Sequence, residues 1–161
     1  MTAPAHPTFT LVDHHGTPVT EASYRGRWTV VLFGFTRCRV VCPRALGRLS
    51  EALASAEVEA LYITVDPDRD TPEVLRQFLE SGYPRFTGLT GTAEQTDAAR
   101  RAFGVFARRR PDPEDPDGYA VPHTAITYLL GPDGDYRTHW TDTADADTIA
   151  ADLAHALEGR S

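Results

Sequence analysis

Residues 28–46 of this 161-residue chain read WTVVLFGFTRCRVVCPRAL. The run Trp28–Phe35 is almost wholly apolar, which is typical of a central parallel strand that is covered on both faces. Cys38 and Cys42 follow, and Pro43 suits the first turn of a helix because its missing N–H is not needed there. The stretch therefore predicts a buried strand followed by two thiols at the start of a helix.

Strands and helices are expected to alternate on both sides of this stretch. Extended segments are predicted at Phe9–Val12, Pro18–Thr20, Val58–Val65, Phe86–Leu89, His123–Leu130 and Asp135–Trp140. Helices are predicted from Pro43 to about Ala56, from Thr71 past Leu79, from Thr92 to about Phe103, and from Asp145 to Leu157. This order predicts an α/β fold: a thioredoxin-like mixed sheet flanked by helices, with an N-terminal β-hairpin and an insertion near residues 85–118.

Two of these helices carry clear start signals. Thr71 is a natural N-cap before Pro72, and the apolar stripe of this helix is predicted to be Val74, Leu75, Phe78 and Leu79. Thr92 begins a capping-box pattern with Gln95. The charged, proline-rich segment 108–118, RRRPDPEDPDG, predicts a surface loop instead, either solvated or in contact with a partner.

Length and composition indicate one globular domain, residues 1–161, in which residues 1–7 form a flexible arm. The longest apolar run is about eight residues, which is too short for a transmembrane segment. The net charge of -7 without a basic stripe argues against nucleic-acid binding. We expect a monomer. The start MTAPAHPTFT lacks a secretory signal, so we expect a cytoplasmic protein if Met1 is native, or a protein whose anchor is absent from this chain.

The two cysteines are too few for a disulfide scaffold, so they predict a redox or metal site. Their spacing places the two sulfurs one helical turn apart, where both can face the same side. The helix N-terminus and the neighbouring Arg37, Arg39 and Arg44 favour thiolates over thiols. A thiolate pair can exchange with disulfides or bind a soft metal ion, and the spacing alone does not choose between them.

Six histidines compete to be a third ligand. Five are expected at the surface: His6, His14, His15, His139 and His155. His123 opens a strand that should lie beside the cysteine strand, and either it or Pro122 is expected at the position where thioredoxin-like proteins place a proline facing the dithiol, often with a cis peptide. Two thiolates and one imidazole suit Cu(I), whereas structural zinc would usually need a fourth protein ligand. Cu(II) requires a further carboxylate or water, and a histidine without metal is the alternative.

Asp66 follows the second central strand and is the nearest candidate for a carboxylate behind the ligands. Its simpler role is to cap the turn before the next helix, and this role is the one we expect. 

Four segments occur in a fixed order: FTLVDHHG, VVLFGFTRC with CP after it, TVDPDRDTPE and VPHTAITYLLGPDG. With them the chain resembles the Sco/SenC family of copper chaperones. The resemblance implies Cys38, Cys42 and His123 as ligands of Cu(I) or Cu(II). It also implies delivery to the dinuclear copper centre of cytochrome c oxidase, with that subunit or another copper-transfer protein as partner, at the outer face of a membrane or in the periplasm.

Two positions depart from the family pattern. Arg39 stands where the family usually has proline after the first cysteine, and Pro122 stands where it usually has aspartate before the histidine. Both changes leave the three ligands in place but alter their surroundings, which tune metal affinity and potential.

The main alternative is a thiol–disulfide oxidoreductase that reduces cysteines of a partner protein. Cys38 would be the attacking thiolate and Cys42 would resolve the mixed disulfide. A peroxidase is less favoured because peroxide reduction needs a cysteine in a Thr/Pro frame earlier in the motif. A purely structural interaction domain is the last alternative.

Overall fold

The computed structural model describes residues 7–36, 41–54, 56–105, 110–112, 115–120, 126–141 and 144–159, with backbone alone at 41–44, 110–112 and 115–120. Its strands are β1 Thr10–Asp13, β2 Pro18–Thr20, β3 Thr29–Gly34, β4 Glu59–Thr64, β5 Thr87–Thr90, β6 Arg110–Asp112, β7 Asp115–Ala120, β8 Ile126–Leu130 and β9 Tyr136–Thr141. Its helices are α1 Val41–Ala52, α2 Pro72–Gly82, α3 Ala93–Ala102 and α4 Ala146–Gly159, and a 3₁₀ turn covers Glu21–Tyr24. Within these ranges, none of the helices has the length and apolar character needed to cross a bilayer.

Seven strands form one mixed sheet in the order β2-β1-β5-β4-β3-β8-β9. The central strands β3, β4 and β5 are parallel, while β1, β2, β8 and β9 run antiparallel to their neighbours. The predicted N-terminal hairpin is β1–β2, and the predicted central cysteine strand is β3. The mixed sheet expected from the sequence is confirmed.

Alternate residues of β3 enter two hydrophobic clusters on opposite faces of the sheet, as the period of a strand requires. Val30 and Leu32 pack with helices α1, α2 and α4, whereas Val31 and Phe33 pack with α3 and the N-terminal hairpin. Every residue of β3 is buried, which explains why its sequence is apolar throughout rather than alternating. Both faces of the sheet are therefore covered.

The predicted helix starts are confirmed by their caps. The Thr71 hydroxyl accepts a hydrogen bond from the Val74 N–H, and Thr92 and Gln95 form the expected capping box. The predicted apolar stripe of α2 is wrong at Val74, which is 38% exposed. The helix turns Leu75 and Leu79 towards the sheet, so that Val74 lies on its outer side.

The predicted loop at 108–118 is also wrong, because β6 and β7 form an antiparallel hairpin there with Arg110 opposite Ala120. The prolines of the two strands, Pro111 and Pro116, do not prevent pairing, since a two-stranded ribbon leaves alternate N–H groups unpaired on its outer edges. Helix α1 begins at Val41, before the expected start at Pro43. Proline is tolerated at this third position because the first four N–H groups of a helix have no intrahelical acceptor.

Candidate metal and thiol site

Of the three predicted ligands, the structure describes only the backbone of Cys42. Cys42 is the second residue of α1, so its backbone lies in the first turn, at the positive end of the helix dipole. Cys38 and His123, with Pro122, lie outside the described residues. The position of Cys42 agrees with the predicted thiol at a helix N-terminus.

Strands β3 and β8 bring the chain towards this end from two directions. They are adjacent and antiparallel, with Val30 opposite Leu129 and Leu32 opposite Thr127. The carboxyl end of β3 and the amino end of β8 therefore meet at the same edge of the sheet. The sequence that follows β3 contains Cys38, and the sequence that precedes β8 contains His123.

A buried carboxylate at this edge joins three elements. Asp70 Oδ2 accepts hydrogen bonds from the Thr36 backbone N–H at 3.0 Å and from Thr64 Oγ1 at 2.8 Å. Asp70 Oδ1 accepts a bond from Thr36 Oγ1 at 2.6 Å. Thr36 follows β3, Thr64 ends β4 and Asp70 precedes α2, and we call these three residues the Asp70 junction.

Asp70 is fully buried, with 0% of its surface exposed. Burial raises the pKa of its carboxyl above the ordinary value, although the hydrogen bonds from Thr36 and Thr64 act in the opposite direction and the nearby charge of Asp66 adds to the rise. The carboxylate is satisfied by three donors, which is the condition under which such a group is tolerated inside a protein.

Asp66 has the turn role that the sequence favoured. Its carboxylate pairs with Arg69, and its carbonyl accepts the backbone N–H of Asp70 at 2.9 Å. The Thr64 hydroxyl in turn accepts the Asp66 N–H at 2.9 Å. A role of Asp66 near a metal stays a prediction. The sequence reasoning missed Asp70, which stands in the same TVDPDRDTPE segment directly before the Thr71 cap.

The prediction that His14 lies at the surface is wrong, because only 7% of this residue is exposed. Its Nδ1 accepts a hydrogen bond from the Gly88 N–H at 3.1 Å, just beyond the last β1–β5 pair, Asp13 opposite Leu89. The imidazole ring thus takes the place of a β1 backbone acceptor for β5. Burial lowers the pKa of His14, and neighbouring His15 lowers it further. His15, His139 and His155 are exposed as predicted, and His6 lies outside the described residues.

His14, His15 and Glu80 also place atoms that could bind a metal within 4.8 Å of one another, at the opposite edge of the sheet. The hydrogen bond from Gly88 occupies the Nδ1 lone pair of His14. A neutral imidazole then carries its proton on Nε2, so neither ring nitrogen offers a free lone pair. This arrangement fits a strand-edge histidine better than a metal ligand.

Comparison with known proteins agrees with the family resemblance of the sequence segments. A family model described as SCO1/SenC matches residues 2–158. The chain belongs to the SCO1/SenC family. The mouse (Mus musculus) protein SCO1 homolog, mitochondrial, is 37% identical over 153 residues, which cover 91% of this chain and 54% of the relative. The chain thus spans about half the length of this relative.

Two solved SCO1/SenC-like structures resemble the whole fold. ScoI of Bradyrhizobium japonicum with copper bound is 33% identical, with a TM-score of 0.84 over 94% of this chain and 99% of that one. ScoI of Arabidopsis thaliana with copper bound is 26% identical, with a TM-score of 0.90 over 97% and 99% of the two chains. The fold is thioredoxin-like, as predicted.

Proposed function

We propose that this protein is a copper carrier that holds its cargo with the thiolates of Cys38 and Cys42 and the imidazole of His123. The pairing of β3 with β8 carries the proposal. It brings together the carboxyl end of β3 and the amino end of β8, and in the sequence Cys38 follows the first of these and His123 precedes the second. Cys42 is the second residue of α1. The copper bound by the two ScoI relatives supports the same cargo.

The chemistry of the donor set fits copper. Thiolates are soft ligands that favour Cu(I), and a single imidazole completes a three-coordinate site without a fourth protein ligand. Cu(II) would need a further oxygen donor. A low-coordinate site also suits transfer, because the thiolates of an acceptor can enter before those of Cys38 and Cys42 leave.

The family resemblance indicates which protein would accept the copper. We propose that copper is delivered to the dinuclear copper centre of cytochrome c oxidase, directly or through another copper-transfer protein. Such a role would place the protein at the outer face of a membrane. A second role, reduction of the acceptor's cysteines, is favoured by the position of Cys42 in the first turn of α1. The positive end of a helix dipole stabilises a thiolate there, and the Cys42 thiolate would resolve the mixed disulfide that Cys38 forms.

The decisive test is an anaerobic titration of the reduced protein with Cu(I) against a competing chelator. We expect one tight equivalent that is lost when Cys38 and Cys42 are oxidised. His123→Ala should weaken binding by more than about 100-fold, because loss of a ligand exceeds the 10–100-fold cost of losing an outer partner. His155→Ala is the matched control, since this histidine is exposed on α4.

Wild-type protein that binds no Cu(I) in competition with the chelator would refute the carrier role. Equal affinity in His123→Ala and His155→Ala would remove His123 from the site. The reductase role is tested separately with Cys42→Ser, which should trap a mixed disulfide between Cys38 and a substrate protein. If no adduct accumulates under mildly oxidising conditions, the exchange role fails and the carrier role is unaffected.

A further inference from the structure

The Asp70 junction fixes the point at which the chain leaves β3. Thr36 uses both of its local donors, the backbone N–H and the hydroxyl, to bind the same carboxylate. A residue held through its main chain and its side chain has little freedom to rotate. The position and orientation of Thr36 are therefore set by Asp70.

Asp70 is itself held from two further sides. Thr64 at the end of β4 donates to its carboxylate, and its own N–H donates to the Asp66 carbonyl at 2.9 Å. The next residue, Thr71, caps α2. The carboxylate is thus tied to the central sheet and to a helix start, so it can act as a fixed anchor for Thr36.

Thr36 stands two residues before Cys38 in the sequence. On the other side, Cys42 belongs to α1, and Arg48 anchors this helix by donating to the Ala144 carbonyl at 2.7 Å. The described residues on either side of positions 37–40 are therefore both held in place, Thr36 by Asp70 and α1 by its packing.

We propose that Asp70 is a positioning residue of the copper site, which acts through Thr36 to set the place of Cys38 relative to Cys42. The inference rests on the proposed function for its copper readout. Asp70 does not bind the metal in this account, and its contribution is the geometry of its three accepted hydrogen bonds.

Geometry and charge can be separated by substitution. An asparagine side chain at this position can accept the Thr36 N–H and the Thr64 hydroxyl with its oxygen, and its amide can donate to the Thr36 hydroxyl. Asp70→Asn should therefore keep Cu(I) affinity within about threefold of wild type, whereas Asp70→Ala should lose about 10- to 100-fold, the usual cost of removing an outer partner.

Two control variants distinguish positioning from general destabilisation. Leu79→Ala removes a fully buried side chain of α2 at a distance from this edge, and it should destabilise the fold without changing copper affinity. Asp68→Asn removes a nearby exposed charge and should also leave affinity unchanged. If Asp70→Ala does not fold, Thr36→Val tests the same link, since it deletes the hydroxyl bond but keeps the rest of the junction.

A second readout needs no metal. The equilibrium between the Cys38–Cys42 dithiol and oxidised glutathione yields the protein disulfide and two molecules of reduced glutathione, and it reports how well the two sulfurs are positioned. Asp70→Ala should lower this equilibrium constant by about tenfold, with recovery in Asp70→Asn.

The outcomes separate the two proposals. Wild-type protein without Cu(I) affinity would refute the carrier role, and the glutathione equilibrium would still decide the role of Asp70. Copper affinity and a disulfide equilibrium in Asp70→Ala equal to those of Leu79→Ala would overturn the positioning role while the carrier role stands. An Asp70→Asn variant as weak as Asp70→Ala would show that the charge matters, and would refute the geometric account.

Discussion

The two ends of the parallel strands use the same device with different consequences. At each end a buried side chain accepts a hydrogen bond from a main-chain N–H: Asp70 from Thr36 at 3.0 Å, and His14 from Gly88 at 3.1 Å. In both places the side chain replaces a missing strand partner. Such replacement is expected, because a buried N–H without an acceptor is costly.

The difference lies in how many elements each side chain joins. Asp70 accepts three bonds and connects the ends of β3 and β4 to the start of α2. His14 accepts one described bond and extends the contact of an edge hairpin with β5. Burial of an ionisable group therefore does not by itself mark a functional end of the sheet. In the proposed copper site, the distinguishing feature is that Asp70 holds Thr36, which stands two residues before Cys38 in the sequence.

The largest expected effect is on the stability of the Asp70 junction. Asp70→Ala leaves the Thr36 N–H without its buried acceptor and releases two hydroxyls, so we expect a loss of about 2–4 kcal/mol in the free energy of unfolding. Asp70→Asn should lose less than half as much, because most of the bonds can re-form. Urea unfolding of both variants measures the effect, and equal losses would contradict the hydrogen-bond explanation.

At the amino end of β5, the stability of the fold should depend on side-chain volume at Gly88. A Cβ atom added at Gly88 would lie 2.9 Å from Leu75 Cβ and 3.0 Å from Leu79 Cδ1, because α2 packs closely on β5 there. Gly88→Ala should destabilise the fold by about 1–3 kcal/mol through overpacking. Gly47→Ala, at an exposed position of α1 with open space around it, is the matched control. A neutral result for Gly88→Ala would show that α2 can move away.

The smallest expected effect is a dependence of stability on pH that originates at His14. Its pKa is lowered, chiefly by burial and then by the charge of His15, with a smaller effect of Arg76. The charges of Glu80 and Asp13 act in the opposite direction without reversing the shift. Because the folded pKa lies below the unfolded value, the contribution is present above about pH 6.5 and declines as pH falls through the folded pKa.

His14→Asn keeps an acceptor for Gly88 but does not titrate, so it isolates this contribution. Between pH 8 and pH 5, wild type should lose up to about 1 kcal/mol more stability than the variant. Parallel unfolding curves at the two pH values measure the difference. If wild type and His14→Asn lose the same stability, His14 is not the titrating group.

The pH dependence of stability that originates at the Asp70 carboxyl should run in the opposite direction to that of His14. Its folded pKa is raised, so the pH-dependent part of its contribution to stability is complete below the unfolded pKa and is lost as pH rises through the folded pKa. The two ends of the sheet thus respond to acid in opposite directions, and only comparison of single variants separates them.

Local signals predicted most of the fold. The apolar run at β3 gave a buried central strand, and the caps at Thr71 and Thr92 gave the starts of α2 and α3. The hairpin at 110–120 was missed because proline-rich sequence normally indicates a loop, and pairing between β6 and β7 is not visible in local composition.

The site was predictable only in part. Cys42 was expected at a helix start, and it lies in the first turn of α1. Asp70 was missed because its role depends on Thr36, which is 34 positions away in the sequence and adjacent only in the folded sheet. His14 was placed at the surface because its turn is polar, whereas its burial depends on the approach of β5.

The pairing of β3 with β8 also has a consequence for synthesis of the protein. Thr29 pairs with Leu130, so this contact joins segments about 100 positions apart. A chain emerging from the ribosome presents its two thiols long before the strand that follows His123 is available. In the proposed carrier, a nascent chain would offer copper at most a thiol pair. Only the completed polypeptide could hold the metal with all three donors, which would reserve loading for finished molecules.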